Sequence, residues 1–536
     1  MKSLFSNKFS ANFFASFKNN LNSSTITFFS LILFIGILLF ILSTILPLLY
    51  NSSLSLLDKS VSILLLFSFV YSGLHCVGYL DHLLKSLTSY NNQLVGEKLK
   101  LIGEAPRVGI IIPTLNEEPD MVEETILKAK NIDYENFQVI LMDSSTDTDI
   151  RQETAEMCNR LDINYMYRDT LRGFKAGSIN DTIKNLNDDF KYVLILDSDH
   201  RLKKSIFQDL IPIMENDSSL TFIQTPQYFE MPNKDHLGLA YSFQQHVFYK
   251  HICRGLCVNG SSFICGTNVL IKLDDLNEIG GMDENCITED IATSFIFHTY
   301  GYKSIYVDKV YAVGLPPPSL SAYYGQQMRW SYGTLQNTKK VLSKLITAPN
   351  SLKSVQWWEY IVLIGTWYFI GLATFVWLMY PVAVLLFNLK PLLLGLINIP
   401  MYIFLVMILS QTLTSMKERG YPLKELFLSQ SLFLSLFTVY IRAFIYGLLN
   451  KKLEFKVTPK KKVQKISFKE IFPHIFLILI LVVSIGIGLT RMNHGENIIT
   501  YPSIIFWAVY NVFMLLIFLL YFYKEDNGKH LDYKDL

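Results

Sequence analysis

Two aspartates, Asp197 and Asp199, stand one residue apart directly after an apolar run in this 536-residue chain. Two carboxylates at the end of a buried strand can both reach one divalent cation, and the same cation can bind a diphosphate. Mg²⁺ or Mn²⁺ held there would neutralise the charge that accumulates on a nucleoside diphosphate as it leaves. Acidic pairs with this spacing also occur in solvated turns, so the pair alone allows both interpretations.

A third acidic group lies in the segment Thr288-Glu289-Asp290, distant in sequence from the first pair. Inverting sugar transfer needs a base that takes the proton of the acceptor hydroxyl on the face opposite the departing diphosphate. Asp290 is the candidate for that base. Thr288 can equally cap a helix whose first turn is acidic, and both roles can hold at once.

The segment Gln326-Gln-Met-Arg329-Trp330 combines a guanidinium group with an indole ring. Arg329 is suited to bidentate contacts with a donor phosphate, whereas Trp330, with Gln326 beside it, is suited to an acceptor sugar. An arginine and a tryptophan at the interfacial end of a membrane helix give the same pattern. The segment alone favours this second interpretation.

Two further residues are candidates for donor binding. Asp143 ends the apolar run Phe137–Met142 and can accept hydrogen bonds from a nucleotide base or ribose, although an aspartate that starts a turn looks the same. Lys175 stands between Gly173 and Gly177 and can contact the donor diphosphate. A solvated lysine at a helix start is the ordinary alternative.

The segment 451–469 is rich in lysine and contains Thr458 and Lys460. Their hydroxyl and ammonium groups can close over a bound diphosphate. A basic loop on the cytosolic side of a membrane has the same composition, and charge alone favours that interpretation.

Short apolar runs alternate with helix-like segments in the central part of the chain. The runs predict buried strands at Val108–Thr114, Phe137–Asp143 and Tyr192–Asp197, and the periodicity predicts helices near 121–131, 150–160 and 174–187. Such alternation is typical of a parallel, Rossmann-like α/β sheet. Ligands bind beyond the carboxyl ends of its strands, where the acidic residues follow.

Half of all residues are hydrophobic, which is typical of a membrane protein, and the net charge of +2 gives no indication of nucleic-acid binding. A span needs about 20 apolar residues. Six segments qualify: Thr27–Leu49, Val61–Leu80, Tyr360–Leu389, Pro391–Met416, Ile471–Thr490 and Tyr501–Tyr523. Leu426–Leu449 has basic residues on both flanks, so it is predicted to lie at the cytosolic face as an interfacial helix.

Lysines near the N-terminus favour a cytosolic start, and two crossings then return the chain to the cytosol. The six cysteines are predicted to be free thiols because most of them fall in this cytosolic part. The predicted organisation is a membrane region (1–95), a cytosolic catalytic domain (96–349), membrane and interfacial helices (350–450), a cytosolic loop (451–469) and two further membrane helices with a polar tail (470–536).

The candidate segments resemble, as an ordered set, the cellulose-synthase-like branch of glycosyltransferase family 2. The set consists of Asp143, Lys175-Ala-Gly177, Asp197-Ser-Asp-His200, Gln224-Thr-Pro226, Thr288-Glu-Asp290, Gln326-x-x-Arg329-Trp330 and Phe455-x-Val-Thr-x-Lys460. The resemblance implies a GT-A catalytic fold that opens onto a transmembrane channel. It implies that Asp143 contacts uracil, that Asp290 is the base, and that Phe455–Lys460 is a gating loop over the nucleotide.

The function predicted from this resemblance is an inverting, metal-dependent synthase of a β-linked, cellulose- or mannan-like polysaccharide in the plasma membrane. The donor is expected to be a UDP-sugar, with a GDP-sugar as the alternative, and the acceptor is the growing glycan. A non-processive transferase that glycosylates a membrane lipid is the second prediction, because the same donor chemistry serves a different acceptor.

Overall fold

The structure is a computed structural model, and it describes residues 23–51, 53–90, 99, 101, 103–229, 235–389, 423–451, 465–495 and 500–528. The central domain is built on a seven-stranded sheet with the strand order β3-β2-β1-β4-β8-β6-β9, and a small sheet has the order β5-β10-β7. The strands are β1 (Arg107–Thr114), β2 (Phe137–Asp143), β3 (Asn164–Tyr167), β4 (Phe190–Ile195), β5 (Arg201–Leu202), β6 (Leu220–Gln224), β7 (Tyr228–Phe229), β8 (Val269–Lys272), β9 (Lys303–Tyr306) and β10 (Ala312–Gly314).

Helices connect the strands of this domain and cover its sheet. They are α3 (Pro119–Lys130), α4 (Thr148–Arg160), α5 (Phe174–Lys184), α6 (Ile206–Asn216), α7 (His236–Val247), α8 (Arg254–Val258), α9 (Leu273–Glu278), α10 (Glu289–Thr299) and α11 (Leu320–Thr347). A π-helical turn, Phe248–Cys253, joins α7 to α8. The three predicted strands and the three predicted helices are confirmed, with α3, α4 and α5 in the expected places.

The sheet is parallel from β3 to β4, as predicted, but it is mixed as a whole. Strand β8 runs antiparallel to both β4 and β6, whereas β6 pairs in parallel with β9. Side chains of β4 alternate between two cores: Leu194 packs on one face of the sheet and Val193 on the other. Because both faces are covered, Val193, Leu194 and Ile195 are all buried and form an unbroken apolar run in β4.

Apolar helices flank the domain in the chain. They are α1 (Ser23–Tyr50), α2 (Leu56–Thr88), α12 (Ser354–Pro381), α13 (Leu423–Ser435), α14 (Phe437–Leu448), α15 (Phe468–Asn493), α16 (Tyr501–Ile517) and the short α17 (Lys524–Gly528), which follows a π-helical turn, Phe518–Tyr523. Five segments of the described residues are long and apolar enough to cross a membrane: Leu56–Thr88, Phe369–Leu386, Leu423–Leu448, Phe468–Asn493 and Tyr501–Asp526. An α/β domain set between membrane helices is therefore confirmed.

Two of the predicted membrane features are not confirmed: one of the spans and the interfacial helix. The predicted span Pro391–Met416 lies outside the described residues, so a count of six spans stays a prediction. The predicted interfacial segment forms two helices, α13 and α14, which break at Leu436, and it also meets the length and composition of a span. Helix α13 packs against α7 of the central domain and against α16, while α14 packs against α11 and α12.

Candidate active site

The acidic pair lies at the carboxyl end of β4, in the middle of the sheet. The backbone N–H of Asp197 donates to Thr267 Oγ1 at 2.8 Å, which fixes the start of the turn. Lys175, in the first turn of α5, forms an ion pair with Asp197 and donates to the carbonyl oxygen of Gly266 at 2.8 Å. Burial acts to lower the pKa of Lys175, but the surrounding carboxylates outweigh it and raise this pKa, so the ammonium group stays charged.

Asp199 and the residue after it, His200, are buried beside Asp197. Asp199 Oδ1 lies 3.2 Å from His200 Nδ1, and Asp199 Oδ2 accepts a hydrogen bond from the backbone N–H of Leu315 at 3.4 Å. Ligand atoms of Asp197, Asp199 and His200 lie within 4.8 Å of one another. Among the described residues the buried Nε2 of His200 has no hydrogen-bond partner. Two carboxylates and an imidazole with an unused nitrogen fit a divalent cation.

Asp290 and Glu289 begin helix α10, with Thr288 at the N-cap position. The backbone N–H of Ile291 donates to Asp290 Oδ1 at 2.8 Å, which orients this carboxylate. Burial raises the pKa of Glu289 to about 8, and the charge of Asp290 adds to this rise. Burial also raises the pKa of Asp290 to about 6, and Lys175 opposes the rise in both residues. A carboxylate whose pKa is raised is a stronger base than an ordinary aspartate or glutamate, as proton abstraction requires.

Gln326, Arg329 and Trp330 lie in the first half of the long helix α11. Ser319 caps this helix by accepting a hydrogen bond from the backbone N–H of Ala322 at 3.2 Å. Burial lowers the pKa of Arg329, although guanidinium groups remain charged at neutral pH. Helix α11 therefore presents a cation and an aromatic ring from two consecutive positions.

These elements enclose a first cavity of about 310 Å³ at the carboxyl ends of β1 and β4. The residues from the sequence prediction that line it are Lys175, Asp197, Asp199, Asp290, Gln326, Arg329 and Trp330. The structure thus brings together residues that are more than 150 positions apart in the chain. Cationic, acidic and aromatic groups around one space are the components that nucleotide-sugar transfer requires.

Asp143 lies at the end of β2, but its side chain is turned into the protein. The carboxylate accepts hydrogen bonds from the Tyr165 hydroxyl at 2.9 Å, from the Ser145 backbone N–H at 2.8 Å and from the Thr114 hydroxyl at 3.3 Å. Asp143 is fully buried, whereas its neighbours Thr114 and Ser144 line the first cavity. Its carboxylate thus joins the ends of β1, β2 and β3 in this structure.

Two further cavities continue from the first toward the apolar helices. A second cavity of about 300 Å³ shares Asp290, Trp330, Gln227, Cys265 and Thr288 with the first. A third cavity, of about 140 Å³, shares its walls with the second at His75, Gln430 and Phe433. Among the described residues, Asp290 is the one carboxylate or cationic side chain that lines the second cavity, and none of them lines the third with such a group.

Aromatic and amide groups dominate the walls of these two cavities. The second is lined by Gln227, Gln244, Gln245, Gln327 and Gln430 together with rings such as Trp330 and Tyr323. The third is lined by Trp377, Trp507 and Tyr510, and Trp507 contacts each of the other two rings edge to face. Such surfaces suit neutral sugars, because rings stack on sugar faces and amides hydrogen-bond to hydroxyl groups.

The structure adds to the predicted site and leaves part of it open. Thr458 and Lys460, in the proposed gating segment, lie outside the described residues. His200 was not assigned a role from the sequence, although it directly follows the acidic pair. Gly266 was also missed: its φ of +86° favours glycine, and its Cβ position is 3.5 Å from Asp290 Oδ2. All six cysteines are free thiols, as predicted.

The chain is similar to known glycosyltransferases. Residues 192–414 match the family model "Glycosyl transferase family group 2". A cellulose synthase catalytic subunit [UDP-forming] from Pseudomonas fluorescens is 27% identical over 425 residues, which are 76% of this chain and 55% of that protein. The corresponding subunit from Xanthomonas axonopodis is 32% identical over 236 residues, 43% of this chain and 32% of that protein. The chain spans about half or less of the length of these relatives.

Among solved structures, the mannosyltransferase PcManGT from Pyrobaculum calidifontis, in complex with GDP-Man and Mn²⁺, is similar with a TM-score of 0.45 and 16% sequence identity. That similarity covers 71% of this chain and all of that chain. TarS of S. aureus matches 45% of this chain and 44% of its own, with a TM-score of 0.29 and 16% sequence identity.

Proposed function

We propose that this chain, which carries a glycosyltransferase domain of family group 2 and is cellulose-synthase-like, polymerises a β-linked glycan from a nucleotide sugar. The proposed product is a cellulose- or mannan-like polysaccharide. The observation that carries the proposal is that Asp290 and Trp330 line both the first and the second cavity. A base and a stacking ring at that junction stand between a donor in the first cavity and an acceptor in the second.

The donor contacts follow from the charges of the first cavity. Lys175 and Arg329 are the cationic side chains that line it, and both suit the diphosphate of a nucleotide sugar. Asp197, Asp199 and His200 would hold Mg²⁺ or Mn²⁺, which supplies neutralisation of the leaving diphosphate. The proposed gating residues Thr458 and Lys460 would add a hydroxyl and a cation from the segment after α14.

The transfer step uses Asp290 as the proton acceptor. The hydroxyl oxygen of the acceptor sugar forms a bond to the anomeric carbon while the bond from that carbon to the diphosphate breaks. Asp290 takes the hydroxyl proton, and the anomeric carbon is inverted because attack and departure occur on opposite faces. Trp330 stacks on the acceptor sugar and Gln326 hydrogen-bonds beside it, so that the hydroxyl faces the donor.

The donor is proposed to be a UDP-sugar, because the curated relatives are named as UDP-forming cellulose synthases. In this proposal Asp143 recognises uracil after the Tyr165 hydroxyl releases its carboxylate. A GDP-sugar is the alternative donor, because the diphosphate contacts of Lys175 and Arg329 do not distinguish the two bases.

Translocation of the product is proposed from the second and third cavities. They lead from Asp290 to the aromatic group of Trp377, Trp507 and Tyr510 among the apolar helices. Along the part of these walls that the structure describes, a neutral glycan meets no fixed charge beyond Asp290. The proposed location is the plasma membrane, with the catalytic domain in the cytosol.

The test is synthesis by the purified full-length protein in liposomes with Mg²⁺ or Mn²⁺ and a panel of UDP- and GDP-sugars. The proposal predicts release of the nucleoside diphosphate together with formation of a polymer that a linkage-specific β-glycanase degrades. Nucleotide release with only a singly glycosylated lipid would replace it with the non-processive transferase. Binding of donors without any release of nucleotide would exclude both enzymes.

A further inference from the structure

We propose that Asp526 is a positioning residue for the transfer step, which holds the helix that carries Arg329 and Trp330 in place. This inference rests on the proposed function. Asp526 lies in the short helix α17, directly after the last apolar helix, and it is 4% exposed. It lines neither the first nor the second cavity, so it acts through the elements that it binds.

The carboxylate of Asp526 bridges two backbone groups that are far apart in sequence. Its Oδ1 accepts the N–H of Leu320 at 3.0 Å, and its Oδ2 accepts the N–H of Ile466 at 3.1 Å. Leu320 is the first residue of α11, where backbone N–H groups have no partner inside the helix. A carboxylate at this end also interacts favourably with the helix dipole, so Asp526 fixes the start of α11 together with the Ser319 cap.

Arg329 and Trp330 follow Leu320 by nine and ten positions on the same helix. A helix rises about 1.5 Å per residue, so both side chains lie about 14 Å from the contact with Asp526. A shift or tilt at the start of α11 therefore moves the guanidinium and indole groups relative to Asp197 and Asp290. The latter two are fixed separately, by the end of β4 and by the start of α10.

The preceding residue, Glu525, makes a parallel contact with a second wall of the acceptor space. Its Oε2 lies 2.9 Å from His236 Nδ1 and 3.4 Å from the backbone nitrogen of His236, the first residue of α7. Helix α7 lines the second cavity with Phe243, Gln244 and Gln245. Two consecutive acidic residues thus contact the N-termini of α7 and α11, two of the helices that border the second cavity.

The contact with Ile466 adds a third element to the same side chain. Ile466 is 5% exposed and stands just before α15. Asp526 consequently joins the start of α11, the entry to α15 and the end of the last apolar helix at one point. Asp526 therefore couples the position of the last apolar helices to that of α11, which carries Arg329 and Trp330.

The test compares Asp526→Asn and Asp526→Glu with the wild type and with Glu470→Gln as the matched control. Asparagine keeps the size of the side chain, but its NH₂ group cannot accept the N–H of Leu320 or Ile466. Glu470 is also an acidic residue near the start of α15, and it pairs with Arg442 at 2.7 Å outside the cavities. The variants are made in the full chain and compared in liposomes.

Two readouts separate positioning from a loss of folded protein. The first is hydrogen exchange of the peptides that contain Leu320 and Ile466, which is expected to become about tenfold faster in Asp526→Asn. The second is the ratio of nucleotide released to sugar incorporated, which is expected to rise severalfold because a misplaced Trp330 lets water replace the acceptor. Asp526→Glu should restore part of this ratio, and Glu470→Gln should match the wild type.

An unchanged ratio in Asp526→Asn, even with faster exchange, would overturn the positioning role, as would unchanged exchange at Leu320. A lower yield of active protein with a normal ratio would assign Asp526 a structural role only and overturn the proposal as well. Failure of the wild type to release nucleotide from any donor would instead refute the proposed function, and the exchange readout would still test the contacts of Asp526.

Discussion

Gly314→Ala is predicted to disturb the proposed cation site through His200. A Cβ atom on Gly314 would lie 2.5 Å from Cε1 and 2.7 Å from Nε2 of the His200 ring. Non-bonded carbon atoms prefer a separation of about 3.5–4.0 Å, so the ring must move by about 1 Å. His200 is 3% exposed and packs against Phe229, which leaves it little space in the present position.

The magnitude follows from the cost of overpacking, which is about 1–3 kcal/mol at a filled site. Gly314 lies in strand β10 with an ordinary backbone conformation, so strain of φ adds nothing. Displacement of the His200 ring from Asp199 weakens cation binding, so much of this free energy appears as a loss of cation affinity. Each 1.4 kcal/mol changes an equilibrium constant by about tenfold, so the cation concentration for half-maximal activity should rise by about tenfold.

The assay is nucleotide release as a function of Mn²⁺ concentration, with thermal unfolding measured on the same samples. Gly109→Ala is the matched control, because Gly109 is also a strand glycine and its Cβ position makes only ordinary contacts, at 3.5 Å or more, with Phe190 and Ile140. Folded Gly314→Ala with the cation dependence of the wild type would refute the participation of His200 in the site.

Three further predictions concern the same cavities. Chelation of divalent cations with EDTA should abolish nucleotide release and Mn²⁺ should restore it, whereas release that persists in EDTA would exclude a cation role for Asp197 and Asp199. Glu289→Gln should raise the unfolding temperature above pH 7: the pKa of Glu289 is raised on folding, mainly by burial and by Asp290, so its contribution to stability is lost as pH rises through that pKa. An unfolding temperature that is lower than the wild-type value across this range would contradict that sign. Trp330→Ala should lower sugar incorporation by about tenfold with donor affinity nearly unchanged, measured by polymer yield and nucleotide binding, since it removes ring stacking with the acceptor. Equal losses in both would contradict an acceptor role.

The central sheet was predictable where strands are long and buried on both faces. Strands β1, β2 and β4 each contain a run of apolar residues that is mostly branched, and their order placed the acidic pair at the ligand-binding edge. Strand β8 was not predictable in the same way. It has four residues, Val269–Lys272, and it inserts between β4 and β6, which are distant from it in sequence. Because its pairing partners are distant in sequence, no local sequence pattern indicates that β8 is a strand of this sheet.

The site residues that the sequence missed depend on contacts made by folding. His200 is distinguished by burial beside Asp199, and burial of a polar ring cannot be inferred from its position after an acidic pair. Asp143 was assigned to the nucleotide by resemblance, but Tyr165, on a neighbouring strand, donates to its carboxylate. In the sequence, Asp526 belongs to a polar tail. Nothing in the sequence around Leu320 or Ile466 indicates that their backbone N–H groups donate to its carboxylate.

The most direct test of the proposed sugar transfer is the turnover of Asp290→Asn. Asparagine occupies the same space between the first and second cavities but cannot accept the hydroxyl proton, and general-base catalysis contributes about 10²–10⁴-fold. The purified variant should bind the donor and cation as the wild type does, while nucleotide release and polymer formation fall by about that factor. Polymer synthesis by Asp290→Asn at the wild-type rate would contradict the role of Asp290 as the base.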